Sequence, residues 1–379
     1  MSEASEATGL DDYGDDRFVE PMTRYLESAV DEGGLNQLGA MSLQADVHRW
    51  LVNRLRWQRD LSCHPEIRAE TVSSPIFITG LARTGTTKLH RMLARDPDNQ
   101  AIPLWRNLNP APDSLADPGE DNRLAVARGM ATALAEMSPD FRALHPMVAE
   151  EPEEEVILLQ MGFRSAGSGL LLRVPSYFEW LVEQPQQPMY TELAELLQYL
   201  QWQDRSPTAR PWVLKTPLHL GRIDALFDVF PNATVVHCHR DLLSTMASFC
   251  RLIEAARLMR SDTAERAELG AFLLEWASEE WNRNLDQRDQ IDRESQIIDV
   301  EYDAIRNDAT GVIASIYRAR GGELSVPAAE RMNSWESDNP QHGYGSYTYS
   351  LEDYGVTSKA VAEAFHRYTE RFPKFRVAP

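Results

Sequence analysis

The sequence predicts an α/β protein with a central parallel sheet flanked by helices in three layers, plus a helical layer at the N-terminus. Three observations predict it. A short apolar run at 75–79 leads through a glycine-bracketed loop into helical spacing. A succession of strand, helix, strand and helix occupies 212–250. Hydrophobic residues make up 43% of the 379 positions, the usual share for a globular chain that buries a large core. Strands alternating with helices pair in parallel, and ligands then gather at the carboxyl ends of the strands.

The elements follow in chain order. Residues 1–16 are rich in Ser, Glu and Asp and are expected to be mobile. The remainder, 17–379, is expected to form one domain, with 17–70 as the helical layer and 71–379 as the α/β core. Leu43, Val47, Trp50, Leu51, Arg54, Leu55 and Gln58 recur at helical spacing within 17–65, and Pro65 ends that helix. The first core strand is predicted at 75–79. Pro103, Pro110, Pro112 and Pro118 make 101–120 a loop, and 122–137 returns to helix. Pro152 among the glutamates at 150–155, ahead of Val156–Leu159, reads as a helix N-terminus. Further helices are predicted at 190–204, 223–230, 271–293, 303–320 and 357–372, and strands at 212–215, 234–239 and 297–300.

The formal charge of −20 excludes nonspecific binding to nucleic acid or to anionic membrane surfaces. Three cysteines, Cys63, Cys238 and Cys250, suit a reducing compartment without a disulfide framework. No metal is expected: His237 and His239 share one strand face, but no second ligand pair is visible in the sequence. The first twenty residues are acidic and lack the apolar core of a leader, and no apolar run approaches transmembrane length. A cytoplasmic location is therefore expected. The oligomeric state stays open, a homodimer included.

The loop carries the chemistry. Ile76–Thr79 enters it, Gly80 opens it and Gly85 closes it, and Leu89, Met92 and Leu93 follow at helical spacing. Such a unit aims backbone N–H groups and a helix N-terminus at a phosphate. A triphosphatase loop would place lysine directly after its second glycine. Here Thr86 stands there, and the positive charge sits inside the loop at Arg83. That speaks against ordinary ATP or GTP hydrolysis. The second unit delivers Arg240 at the end of a strand, with Ser248 eight residues on, in the following helix. A guanidinium grips phosphate with two donors, and the hydroxyl adds a neutral one.

Gly80–Thr87 resembles the 5′-phosphosulfate loop of sulfotransferases that use 3′-phosphoadenosine 5′-phosphosulfate (PAPS), G-x-x-[RK]-[ST]-G-T-T, at every fixed position. Arg240 and Ser248 match the spacing with which that family holds the 3′-phosphate. Further segments resemble one bacterial branch of the family: residues 9–14, 53–55, 96–97, 174–177 and 349–355. The resemblance implies a P-loop-like fold, PAPS as donor, adenosine 3′,5′-bisphosphate (PAP) as product and no metal. It implies that Arg83, Thr84, Gly85, Thr86 and Thr87 bind the 5′ end, with Arg83 also catalytic. Lys215, in Leu-Lys-Thr-Pro, resembles a catalytic lysine that steadies the sulfuryl group. Gly343, in the turn Gly343–Gly345 beside His342, falls where the family closes a loop over the 3′-phosphate. An anionic donor in so acidic a chain needs a locally basic site, which gives weight to Arg83, Lys88, Arg91, Lys215 and Arg240.

The general base departs from the family pattern. The two positions where relatives carry it hold Pro217 and Arg106 here. His145, Glu151, Glu153, Glu154 and His219 remain, and a base near neutral pKa favours His145. Tyr177, Phe178, Trp180, Trp105 and Phe163 supply either core packing or a site for an apolar or aromatic small-molecule acceptor. The reading is sulfuryl transfer from PAPS to a hydroxyl, less readily an amine. The alternatives are a P-loop kinase for a small molecule, which would need the missing loop lysine, and a noncatalytic PAPS- or PAP-binding protein.

Overall fold

A computed structural model describes residues 1–113, 121–205, 210–340, 350–375 and 377. The chain divides into two compact units. The first comprises Met1–Val72, Ile102–Ala209 and Ala255–Ala264; the second comprises Ser73–Ala101, Arg210–Glu254 and Glu265–Pro379.

Helices dominate the first unit. The helical stretch predicted at 17–65 forms as two helices, Val19–Glu32 and Gln37–Cys63. Gly33 and Gly34 separate them, and Asn36 caps the second by accepting a hydrogen bond from the Gly39 N–H at 2.7 Å. The acidic start of the chain, where composition gave no regular structure, carries a helix. Residues Ser2–Thr8 form a helix that packs on Gln37–Cys63 through the buried Ala4. Tyr13 ties it back by donating to the Met1 carbonyl at 2.7 Å. Aromatic rings fill the core: Trp50 meets Phe163 edge-on at 5.3 Å and Tyr25 meets Tyr177 at 5.1 Å.

Two further expectations in this unit are corrected. Residues 101–120 are not all loop, because Leu104–Leu108 is helical; 114–120 lie outside the described residues. The acidic stretch 150–157 does not open an α-helix. Pro152 instead bridges Pro103, Glu153 N–H donates to the Ile102 carbonyl at 3.0 Å, and Leu104 N–H donates to the Glu151 carbonyl at 3.0 Å. Pairing with a distant segment satisfies these backbone groups, so only a short 3₁₀ turn follows, at Leu158–Gly162.

The second unit holds a four-stranded parallel sheet in the order β2-β1-β3-β4. The strands are β1 Ile76–Thr79, β2 Val213–Lys215, β3 Thr234–His239 and β4 Ile297–Glu301. Ile76 is in register with Val213 on one side and Thr234 on the other; Val235 is in register with Ile297. β1 and β3 are buried on both faces, including Thr234, His237 and His239 of β3. Ile76, Ile78, Val236 and Cys238 point to one face, where Leu89, Met92, Ile313 and Met332 from three helices cover them. Phe77 points to the other, against His219 and Phe230. The unit is thus layered helix, sheet, helix.

Two helical stretches here are broken where the periodicity suggests continuity. The stretch 303–320 breaks into Tyr302–Asn307 and Ala309–Ala319, because Asp308 accepts from the Gly311 N–H at 2.8 Å and caps a new start. The stretch 357–372 breaks at Phe365 into Ser358–Ala364 and His366–Arg371. No helix among the described residues is long and apolar enough to cross a membrane.

Candidate active site

The three strands β2, β1 and β3 lie side by side, so their carboxyl ends deliver three segments to one edge of the sheet. The segment after β1 is the glycine loop. It turns through three residues with left-handed backbone: Gly80 at φ 135°, Arg83 at φ 75° and Gly85 at φ 88°. Gly80 has no alternative, because a β-carbon there would lie 2.4 Å from the Cys238 carbonyl oxygen. Thr84 braces the turn by donating from its hydroxyl to the Leu81 carbonyl at 2.7 Å. Gly85 caps helix Thr86–Leu93, so Thr86 and Thr87 occupy its first turn, where N–H groups are open to an anion.

The side chains predicted for the nucleotide converge around that loop. Arg83 Nε donates to the Ser248 hydroxyl at 3.1 Å. Arg240 Nη1 donates to the Arg83 carbonyl at 2.7 Å. Lys215, at the end of β2 and 1% exposed, donates to the Thr87 hydroxyl at 3.3 Å. Ser248 is buried in helix Leu242–Arg257, and that helix begins where Asp241 accepts from the Ser244 N–H at 2.8 Å. The structure therefore brings together Arg83, Thr84, Gly85, Thr86, Thr87, Lys215, Arg240 and Ser248. Gly343 and its neighbours lie outside the described residues.

One residue of this site escaped the sequence reading. Tyr302 stacks under the Arg240 guanidinium, 4.2 Å from ring centroid to the guanidinium carbon. Its ring also sets the limit at Gly85, where a β-carbon would approach it to 3.1 Å. The signal was its place directly after β4, at the same sheet edge. Lys88 and Arg91, by contrast, are drawn elsewhere or buried: Lys88 donates to the Ile305 carbonyl at 3.1 Å and pairs with Glu336, and Arg91 is 8% exposed.

The candidate bases divide between the units. In the first, His145 Nε2 lies 3.2 Å from Glu153 Oε1, and the same oxygen accepts from the Glu154 N–H at 2.9 Å. Glu153 is 2% exposed, so its carboxylate fixes one nitrogen of a half-buried imidazole. In the second, His219 is fully buried in the 3₁₀ turn Pro217–His219 and meets Phe77 edge-on at 4.9 Å. Arg106, the residue at one of the positions expected for a base, is engaged within the first unit. It pairs with Asp204 at 2.7 Å and donates to the Leu200 carbonyl at 2.5 Å. Burial pulls its guanidinium pKa below the usual value, against the opposing Asp204 charge. Of the aromatic set, Phe163, Tyr177 and Phe178 are buried, and the Tyr177 hydroxyl donates to the Phe163 carbonyl at 2.8 Å, which makes them core.

A parallel sheet with a left-handed glycine loop after one strand and an arginine at the end of the next suits a group transferase. The chain belongs to the sulfotransferase family: residues 75–325 match the family described as Sulfotransferase family. It is an enzyme of that transferase class acting on a small-molecule acceptor, in a family that generally uses PAPS as sulfuryl donor. Curated relatives include omega-hydroxy-beta-dihydromenaquinone-9 sulfotransferase Stf3 of Mycobacterium bovis and its namesake of Mycobacterium tuberculosis. Each is 25% identical over 318 residues, covering 79% of this chain and 76% of the relative. Among solved structures, sulfotransferase STF1 from Mycobacterium tuberculosis H37Rv matches with a TM-score of 0.83 and 33% identity, over 96% of each chain. Sulfotransferase STF9 from Mycobacterium avium shares the fold, with a TM-score of 0.83 at 24% identity, over 98% of this chain and 95% of that one.

Proposed function

We propose that this sulfotransferase moves a sulfuryl group from PAPS to a hydroxyl of a lipophilic small molecule. The observation that carries the reading is the convergence of Arg83, Lys215, Arg240 and Ser248 on a loop that no larger residue than glycine could open at position 80. The donor fits these residues: backbone and hydroxyl donors of Thr86 and Thr87 suit the 5′-phosphosulfate, and Arg240 with Ser248 suits the 3′-phosphate. Gly343 is assigned to the loop over that 3′-phosphate. The acceptor class rests on the lipophilic hydroxy compound named for the 25% identical relatives.

In the reaction, the acceptor oxygen forms a bond to sulfur as the bond from sulfur to the 5′-phosphate oxygen breaks, and PAP leaves. Negative charge grows on the departing phosphate. Arg83 and Lys215 stabilise it as fixed cations, which cost no reorganisation at the moment of transfer. For the base that takes the acceptor proton, His145 stays the first candidate from the sequence, its imidazole fixed at one nitrogen by Glu153. Loss of one preorganised charge at such a centre costs roughly 10²–10³ in turnover. Arg83→Ala should therefore lose turnover of PAPS far more than it loses affinity for PAP by calorimetry. Equal losses in both would reduce Arg83 to a binding residue. Failure of PAP to raise the unfolding temperature, with ATP and Mg²⁺ raising it instead, would remove PAPS as donor.

A further inference from the structure

On the sheet face turned away from helix Thr86–Leu93, two imidazoles and a carboxylate converge. His237 and His239 are two residues apart on β3 and share that face. Asp299 of β4 pairs in register with His237 and rises beside them. Its Oδ1 lies 2.9 Å from His239 Nε2 and 3.9 Å from His237 Nδ1. His237 is fully buried, and neither of its ring nitrogens has a hydrogen-bond partner among the described residues. Its ring lies flat on Trp281, 4.6 Å away at 11°. A buried imidazole with both nitrogens unsatisfied is costly and calls for a ligand.

Asp299 is held in place by a network of charged side chains. Arg288 reaches both oxygens of Asp299 at 2.9 Å and shares its charge with Glu294. Glu294 in turn pairs with Arg371, so two guanidiniums face two carboxylates, and Asp299 is the carboxylate set directly beside the two imidazoles.

We propose that His237, His239 and Asp299 bind one divalent transition metal ion of the zinc class. Imidazole with carboxylate suits that metal. Bonds of about 2.0–2.1 Å at tetrahedral angles separate ligand atoms by roughly 3.3 Å. The two separations from Asp299 fall on either side of that value, and all three ligand atoms lie within 4.8 Å of one another. His239 Nδ1 lies 3.1 Å from the Tyr368 hydroxyl. With the metal on Nε2, Nδ1 carries the hydrogen and donates to Tyr368, the outer contact that orients a metal-bound histidine. Asp299, with 35% of its side chain exposed, admits water to the fourth position. The ion would join β3 to β4 and, through Tyr368, to helix His366–Arg371. It would also fix the strand end that presents Arg240.

A second group, His145 with Glu153 and Glu154, also gathers three donor atoms and serves as the competing site. The experiment uses untagged full-length protein, stripped by chelator and titrated with Co²⁺ and then Zn²⁺. One Co²⁺ per chain should bind with the strong visible absorption of tetrahedral cobalt, and Zn²⁺ should displace it. His237→Gln and Asp299→Asn should abolish that absorption while keeping the far-ultraviolet dichroism; His145→Gln should leave it. Absence of the absorption in the wild type, its survival in His237→Gln, or its loss in His145→Gln would overturn the proposal. X-ray absorption of the zinc-loaded wild type needs no variant. It should resolve two imidazole ligands, and a shell with one or none would also overturn it.

Discussion

The turn after β1 and the turn after β3 reach the same sheet edge, yet they are made of different material. The first is made of backbone. Three of its residues take left-handed φ, and its tightest point leaves no room for a β-carbon. The second is made of side chains. Among the described residues, none from 239 to 242 has a positive φ; Asp241 caps the next helix, and Arg240 and Ser248 do the reaching. A backbone-built half should fail as structure when altered. A side-chain-built half should fail as binding while the fold stands.

The largest expected effect tests the first half. Gly80→Ala combines a φ of 135° with a β-carbon 2.4 Å from the Cys238 carbonyl, and should cost roughly 3 kcal/mol or more of stability. Thermal unfolding reads it, and an unchanged midpoint would erase the contrast. Next is Arg240→Ala. It should fold normally and weaken PAP binding by roughly 10- to 100-fold, the worth of a charge-assisted hydrogen bond. Calorimetry with PAP decides. Ser248→Ala removes a neutral donor and the acceptor of Arg83 Nε, so its Kd should rise by roughly 2- to 10-fold. Smallest is Tyr302→Leu, which deletes the ring under Arg240 and should cost about 0.5–1 kcal/mol of PAP affinity. A loss as large as that of Arg240→Ala would make the backing ring, not the guanidinium alone, the deciding element of the second half.

Much of the sheet unit was legible because its signals are local. Ile76–Thr79 is apolar and bracketed by glycine, and Arg240 follows an unbroken buried strand, so both could be placed on the carboxyl edge and matched to the sulfotransferase family from residues alone. The misreadings arise where a distant partner overrides a local preference. Pro152 and its glutamates carry a helix-start pattern, but the bridge to Pro103 uses their backbone groups first. The start of the chain is acidic enough to suggest mobility, but it packs on a helix through one small residue, Ala4, that composition does not reveal. Asp308 and Phe365 each divide a helix whose apolar stripe runs past them. Tyr302 was missed because its role comes from a ring facing a cation 62 residues back on another strand end, which no periodicity encodes.

β1 sits at the middle of the sheet, and the chain must travel far to enclose it. The hydroxyl of Thr79 at its end bonds the Thr216 carbonyl, 137 residues later. At ribosomal rates of roughly 5–20 residues per second, both sides of this apolar strand stay open for on the order of ten seconds after it is made. During that interval the sequence Ile-Phe-Ile-Thr is an unpaired sticky edge in a crowded nascent chain. The arrangement that gathers three strand ends at one sheet edge therefore also makes this chain slow to complete, and most exposed to misassembly while β1 waits for neighbours.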